Sequence, residues 1–280
     1  MNIILDGLGL GAIYALIALG YTMVYGIAKL LNFAHGDIIM VGAYAILTML
    51  NMSGNPWIAI IVSVVVCTAA GIIIERFAYR PLRSASPLAV LITAIGVSYF
   101  LQSLAQLIFG AKSRPVTLPA LGNITVFGAS VSVATVVTLI IGAVIMAGLT
   151  LFVNFTRTGR AMQAVSEDKG AAQLMGINVN RIIMITFAIG SALAAFASLF
   201  YLMQIPATSP TLGSMPGIKA FTAAVIGGIG SIPGAMIGGV LLGLIEKICL
   251  SIPFLSAYTT AIEFGLLILI LLVKPIGLLG

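Results

Sequence analysis

Three stretches of this 280-residue chain hold side chains whose type and spacing can do chemistry. The first is Asn32-Phe33-Ala34-His35-Gly36-Asp37, which sets the single histidine two residues before a carboxylate. An imidazole and an acid so close can relay a proton, hold a polar solute, or start a helix whose dipole favours the acid. The second runs from Gly227 to Gly234 and contains Gly227, Gly228, Gly230, Gly234 and Pro233, so it cannot continue a regular helix. Lys219, just ahead of it, adds a positive charge. The third, 156–181, is the longest polar segment and holds six of the twenty charged residues. No phosphate-binding loop is expected: Gly110-Ala111-Lys112-Ser113 lacks the opening glycine and the Gly-Lys-Ser/Thr run. No cofactor, metal or catalytic residue is expected either.

Composition decides what must position these residues. Of the chain, 61% is hydrophobic and 7% charged, against about a quarter charged in an ordinary soluble domain. Mean hydropathy is +1.21. Too few charges exist to cover a water-facing surface, which excludes a soluble enzyme and a nucleic-acid binder. The net charge of +6 therefore speaks of topology, because Lys and Arg gather in cytoplasmic loops. Cys67 and Cys249 fall inside apolar runs and read as packed thiols. The first residues lack a basic start and continue apolar to Ile27, which reads as a span and not as a cleaved leader.

A helix needs about 20 residues to cross a hydrocarbon core of about 30 Å. Segments 3–27, 57–76, 88–109, 131–155, 182–205 and 257–273 meet that length. Between Asp37 and Asn51 only 13 residues are available, or about 20 Å of helix. That helix must begin earlier, which draws Asn32, His35 and Asp37 to membrane depth. Region 217–250 reads as two short helices, 218–226 and 235–248, around the glycine-rich break. A re-entrant hairpin, two crossings or one broken crossing would each fit, and the side of the C-terminus depends on which. Arg76, Arg80 and Arg83 form one basic cluster, and Arg157, Arg160, Lys169 and Arg181 form another. Two spans separate the clusters, so both can lie inside, with the N-terminus outside.

Small residues recur every four positions in Gly7-Gly11-Ala15 and in Ala235-Gly239-Gly243, as expected of closely approaching helices. Within 156–181, Ser166 is expected to cap a short helix with Glu167 and Asp168 in its first turn. Gly176 would end that helix in the left-handed conformation, with Ile177 following. Ala171, Leu174 and Met175 would share an apolar face. Glu75 is expected to pair with the adjacent Arg76. Glu246, beside Lys247, and Glu263 can each be a bundle partner or a pathway residue.

Four motifs, in order, resemble the LivH-type permease family of branched-chain amino acid ABC importers. They are the run 14–27 with Asn32-Phe33-Ala34-His35-Gly36-Asp37, the segment Ile74 to Arg83, the loop run Gly159-Arg160-Ala161 with Asp168, Ala172 and Gly176-Ile177, and Lys219 to Ala235. Lys29 and Leu31 depart from the family pattern, and the 110–130 loop is compact. The resemblance implies an all-α polytopic bundle of about eight membrane segments, one or two broken or re-entrant, as a single permease domain over 1–280. It implies a bacterial inner-membrane subunit that moves branched-chain or similar small amino acids by alternating access. Its partners would be a related second permease subunit or a second copy, two cytoplasmic ATPases and an extracytoplasmic solute-binding protein, with no nucleic acid. Gly159, Arg160, Ala161, Glu167, Asp168, Ala172 and Gly176 are then the ATPase-coupling candidates. Asn32, His35, Gly36, Asp37, Lys219, Gly227, Gly228 and Gly230 are candidates for the translocation pathway, with capping and tight-turn roles as the alternatives. A permease for urea or short amides and an ion-coupled secondary transporter are the rival functions.

Overall fold

The computed structural model describes residues 2–83, 85–119, 121–126 and 129–279, and it is helical almost throughout. Among the described residues seven helices are long and apolar enough to cross a membrane. The chain is a multi-pass membrane protein of the all-α class. Helix α1 (Asn2–Ala28) is apolar on all sides and buried from Gly9 to Val24, as a helix without a polar face must be. Helices α2 (His35–Ser53) and α3 (Pro56–Ile74) follow, and α3 widens into a π-helical turn over Glu75–Tyr79. Helix α4 (Pro87–Phe109) lies at the periphery, with most of its side chains facing outward.

A short strand β1 (Arg114–Pro115) and a hairpin of β2 (Asn123–Val126) and β3 (Ala129–Ser132) lead into α5 (Val133–Phe155). Two short helices, α6 (Arg157–Glu167) and α7 (Lys169–Leu174), form the polar loop before α8 (Val179–Gln204). Strand β4 (Ala207–Thr208) pairs antiparallel with β1, ahead of α9 (Ser214–Gly227) and α10 (Ile232–Ser251). One turn, α11 (Pro253–Ser256), precedes α12 (Thr259–Val273). The shorter α9 and α12 supplement the seven long helices.

Helix α1 packs on α5, α8, α9 and α10 and forms the centre of the bundle. Its small-residue face meets that of α10: a Cβ on Gly11 would lie 2.7 Å from the Cα of Val240, and one on Gly239 would strike the Ala15 backbone. In lipid such a close approach gives dispersion contact in place of hydrophobic driving force. The two glycine periodicities are thus one interface within this chain.

Two segments break the regular pattern. After Ala28 the chain turns back through 29–34, with Lys29 in the left-handed region at φ 57°. Helix α2 starts only at His35, whose imidazole lies against Gly20. Gly20 is eight residues before the end of α1, or about 12 Å along its axis. The early start expected for this helix is therefore met by a return loop inside the bundle. On the other side of the molecule, 205–213 descends from the end of α8 and α9 begins beside Gly36. Backbone at this depth must find internal partners. Val116 donates to the carbonyl of Pro206 at 3.0 Å, and Ser214 donates to that of Thr211 at 3.1 Å.

Region 218–250 resolves into two helices, α9 and α10, joined by a tight turn. The C-terminal tail closes on that turn: Leu278 and Leu279 donate to the carbonyls of Ile226 and Gly227, each at 2.9 Å. The C-terminus thus lies at the bundle end that carries Lys29 and the 156–181 loop. Both cysteines are buried and unpaired.

Candidate functional site

The first turn of α2 builds a polar cluster in an apolar setting. Gln102, on α4, donates its amide to Oδ1 of Asp37 at 2.9 Å and lies 3.2 Å from the hydroxyls of Ser98 and Ser214. One side chain thereby joins α2, α4 and the start of α9. Beside it lies a cavity of about 340 Å³, bounded also by Tyr21, Phe33, Gly36, Gly213 and Gly217. Glycine is needed at this crossing, because a Cβ on Gly36 would lie 2.5 Å from the carbonyl oxygen of Gly213.

His35 stands edge-on to Tyr21, with ring centroids 4.9 Å apart. Its Nε2 is buried without a hydrogen-bond partner among the described residues, as are Asn32 Nδ2 and Thr22 Oγ1. Asn32 accepts from the Tyr79 hydroxyl at 2.8 Å through its other atom, which ties the return loop to the end of α3. The structure brings Asn32, His35, Gly36 and Asp37 together within the bundle.

Lys219 lies elsewhere. Its ammonium is 2.7 Å from Glu246 and 3.2 Å from Glu263, and Tyr14 donates to Glu246 at 2.6 Å. One cation faces two carboxylates, and the group joins α1, α9, α10 and α12. Neighbours in sequence were poor guides here. Glu246 pairs with Lys219 and not with Lys247, and Glu75 pairs with Arg83 and not with Arg76, which is exposed. Arg83 also reaches Asn180 at the start of α8.

Gly227, Gly228 and Gly230 form the α9–α10 turn. Gly228 and Gly230 have φ of 111° and 103°, which side chains rarely tolerate, and the Gly227 position abuts the Gly234 carbonyl. Gly230 packs on Gly26, and with Thr22, Lys29, Asn154, Gln163 and Ser166 it borders a second cavity of about 350 Å³. The glycines thus lie beside the polar loop and not beside Asp37.

The loop is two helices where one was expected. Thr156 caps α6, accepting from Gly159 at 3.0 Å, and Gly159 is pressed against the Val153 carbonyl as the chain leaves α5. Ser166 does not cap: it lies in the last turn of α6 and donates to the Gln163 carbonyl at 2.7 Å. Asp168 is the cap of α7, accepting from Gly170 at 2.7 Å and from Ala171 at 3.0 Å. A caboxylate is the stronger acceptor there, and it meets the positive end of the helix dipole. Gly176 adopts φ 81° and Ile177 donates to the Ala172 carbonyl at 3.0 Å, a Schellman ending as expected.

Ala172 is buried and Ala161 half-buried, whereas Arg160, Glu167 and Asp168 face outward. Leu174 and Met175 are 91% and 82% exposed, so the apolar face has nothing covering it within the chain. Lys169 reaches back to donate to the Ala28 carbonyl at 2.7 Å. Burial, with Arg83 and Lys29 nearby, pulls this ammonium below the ordinary lysine pKa.

A family profile described as the permease component of the branched-chain amino acid transport system matches residues 3–271. The chain belongs to this permease family. The permease protein BraD of a high-affinity branched-chain amino acid transport system in Pseudomonas aeruginosa is 45% identical, with 99% of this chain and 94% of that one covered. The corresponding LivH protein of Escherichia coli is 46% identical over 98% and 94%. A relative in Methanocaldococcus jannaschii is 30% identical over 95% and 88%. Among solved structures, a chain described as a metal-chelate type ABC transporter in an inward-facing conformation superposes with a TM-score of 0.54 at 17% identity. It is matched over 85% of its length and 96% of this chain. That likeness shows a shared fold. Gln102 and Ser214 had escaped notice in the sequence, although an amide inside an apolar run is itself a signal.

Proposed function

We propose that this permease is the membrane subunit of an ATP-binding-cassette importer for branched-chain or similar small amino acids. It works in a bacterial inner membrane with a related second permease subunit or a second copy, two ATPase subunits and an extracytoplasmic solute-binding protein. The cargo follows from the relatives, which are named for branched-chain amino acid transport over nearly their full length. The observation that carries the mechanism is the uncovered apolar pair Leu174 and Met175, on a helix capped at both ends and anchored to α1 through Lys169. A rigid element with an exposed apolar tip suits docking against a soluble subunit. Movement of an ATPase there would be passed to α1, α5 and α8.

Lys29, Arg76, Arg80, Arg83, Arg157, Arg160 and Arg181 cluster toward this end, which supports a cytoplasmic loop and an N-terminus on the opposite face. ATP hydrolysis belongs to the partner subunits, and this chain supplies the path and the coupling surface. The Asn32–Asp37 turn and the cavity beside it are the centre of that path.

The test is leucine uptake into proteoliposomes carrying the assembled transporter and its binding protein. Uptake should require ATP inside, and L174D or M175D should reduce ATPase co-purification several-fold. Ion-gradient-driven uptake by the permease alone would overturn the reading and favour a secondary transporter. Uptake of urea or acetamide in place of leucine would reassign the cargo.

A further inference from the structure

Asp37 is a membrane-depth carboxylate beside a cavity, and among the described residues no cationic side chain lies within 4.0 Å of it. The other deeply placed acids, Glu246 and Glu263, share Lys219. The partner given to Asp37 is the neutral amide of Gln102. An amide satisfies one lone pair and leaves the charge uncompensated, which is costly away from water. Asp37 lies in the first turn of α2 and α9 starts at the same cavity, so two positive helix ends converge there.

The cavity, at about 340 Å³, is within the range of small-molecule sites. Along α4 the lining changes character, from aliphatic at Leu91 and Ile95 to polar at Ser98 and Gln102, which join Asp37 and Ser214. Such a division suits a solute with a cationic group at one end and a hydrocarbon chain at the other. We propose that Asp37, oriented by Gln102, binds the α-ammonium group of the amino acid in transit. This deepens the transport reading and rests on it. A carboxylate–ammonium contact is charge-assisted and stronger than a neutral pair. A neutral amide would gain less, and a simple carboxylic acid would be repelled.

The experiment measures L-leucine binding to the assembled transporter in nanodiscs without the binding protein, at pH 6.5, beside ATP-driven uptake with it. Leucinamide, whose amine is protonated at that pH, should displace leucine. The compound 4-methylpentanoate, which has the same chain and no amine, should not displace it. Asp37→Asn should weaken leucine binding by about tenfold or more, whereas Asp37→Glu, which keeps the charge, should retain most of it. Displacement by 4-methylpentanoate as strong as by leucinamide would overturn the proposal, and this competition needs no variant. So would unchanged binding in Asp37→Asn, or no saturable binding by a wild-type complex that imports leucine. A wild-type complex that imports no amino acid refutes the transport reading itself. Equal leucine import and binding by wild type and Asp37→Asn refutes the ammonium site alone.

Discussion

Lys169 donates from its ammonium to the carbonyl of Ala28, 2.7 Å away, so the polar loop closes the end of the central helix. The last carbonyls of a helix have no partner within it, and a cation there also meets the negative end of the dipole. The contact is half-exposed, which keeps it near the lower bound for a charged hydrogen bond, about 1.5 kcal/mol. Lys169→Met should leave the transporter assembled but raise hydrogen exchange at 26–34 and at 157–174, with more ATP hydrolysed per leucine imported. Unchanged exchange and stoichiometry would show that the tie transmits nothing.

The cap of α7 makes a sharper local test. Asp168→Ala should release the amides of Gly170 and Ala171, at about 1 kcal/mol, and lower exchange protection over 170–174. Ser166→Ala should leave those amides protected, because Ser166 bonds within α6. The opposite ranking would restore Ser166 as the cap.

Helix packing is open to the same treatment. Gly239→Leu drives a side chain into the backbone of α1 at Ala15, and overpacking costs about 1–3 kcal/mol even where neighbours yield. Thermal unfolding in detergent should fall by several degrees or the protein should be lost. Gly148→Ala, whose Cβ would meet nothing within 4 Å, should leave stability unchanged or slightly raised. Equal effects of the two would contradict the α1–α10 interface.

Removing the shared cation should be worse than removing the whole charged group. Lys219→Met strands Glu246 and Glu263 against each other, and breaking a buried pair from one side costs about 3–5 kcal/mol. The triple variant K219M/E246Q/E263Q should recover part of that loss in a thermal assay. A triple variant no more stable than the single one would argue against mutual compensation.

These contrasts also explain what the amino-acid order could convey. Spans were legible because a run of about 20 apolar residues has one physical use. The Gly7-Gly11-Ala15 and Ala235-Gly239-Gly243 spacing pointed to close packing, and Gly176 with Ile177 to a helix end. The Glu75–Arg76 pairing read from adjacency failed, since consecutive helical residues point about 100° apart and cannot face one another. Glu75 finds Arg83 through a π-helical turn that no local pattern announced. The Asp37 cluster was half legible: the acid stood out, but Gln102 is 65 positions from it and Ser214 a further 112. Only the tertiary arrangement of α2, α4 and α9 brings them together. The break at 227–234 was seen, yet its depth was not, because glycine content reports a turn and not its height in the bundle.

The crossing of Gly36 with Gly213 bears on how closely α2 and α9 can approach. Non-helical chain reaches inward from one end through 29–34 and from the other through 205–213, and the first turn of α2 then meets Gly213 backbone to backbone without a side chain between them. With only hydrogens on both α-carbons the two backbones come into contact, and a side chain at Gly36 or Gly213 would force α2 and α9 apart.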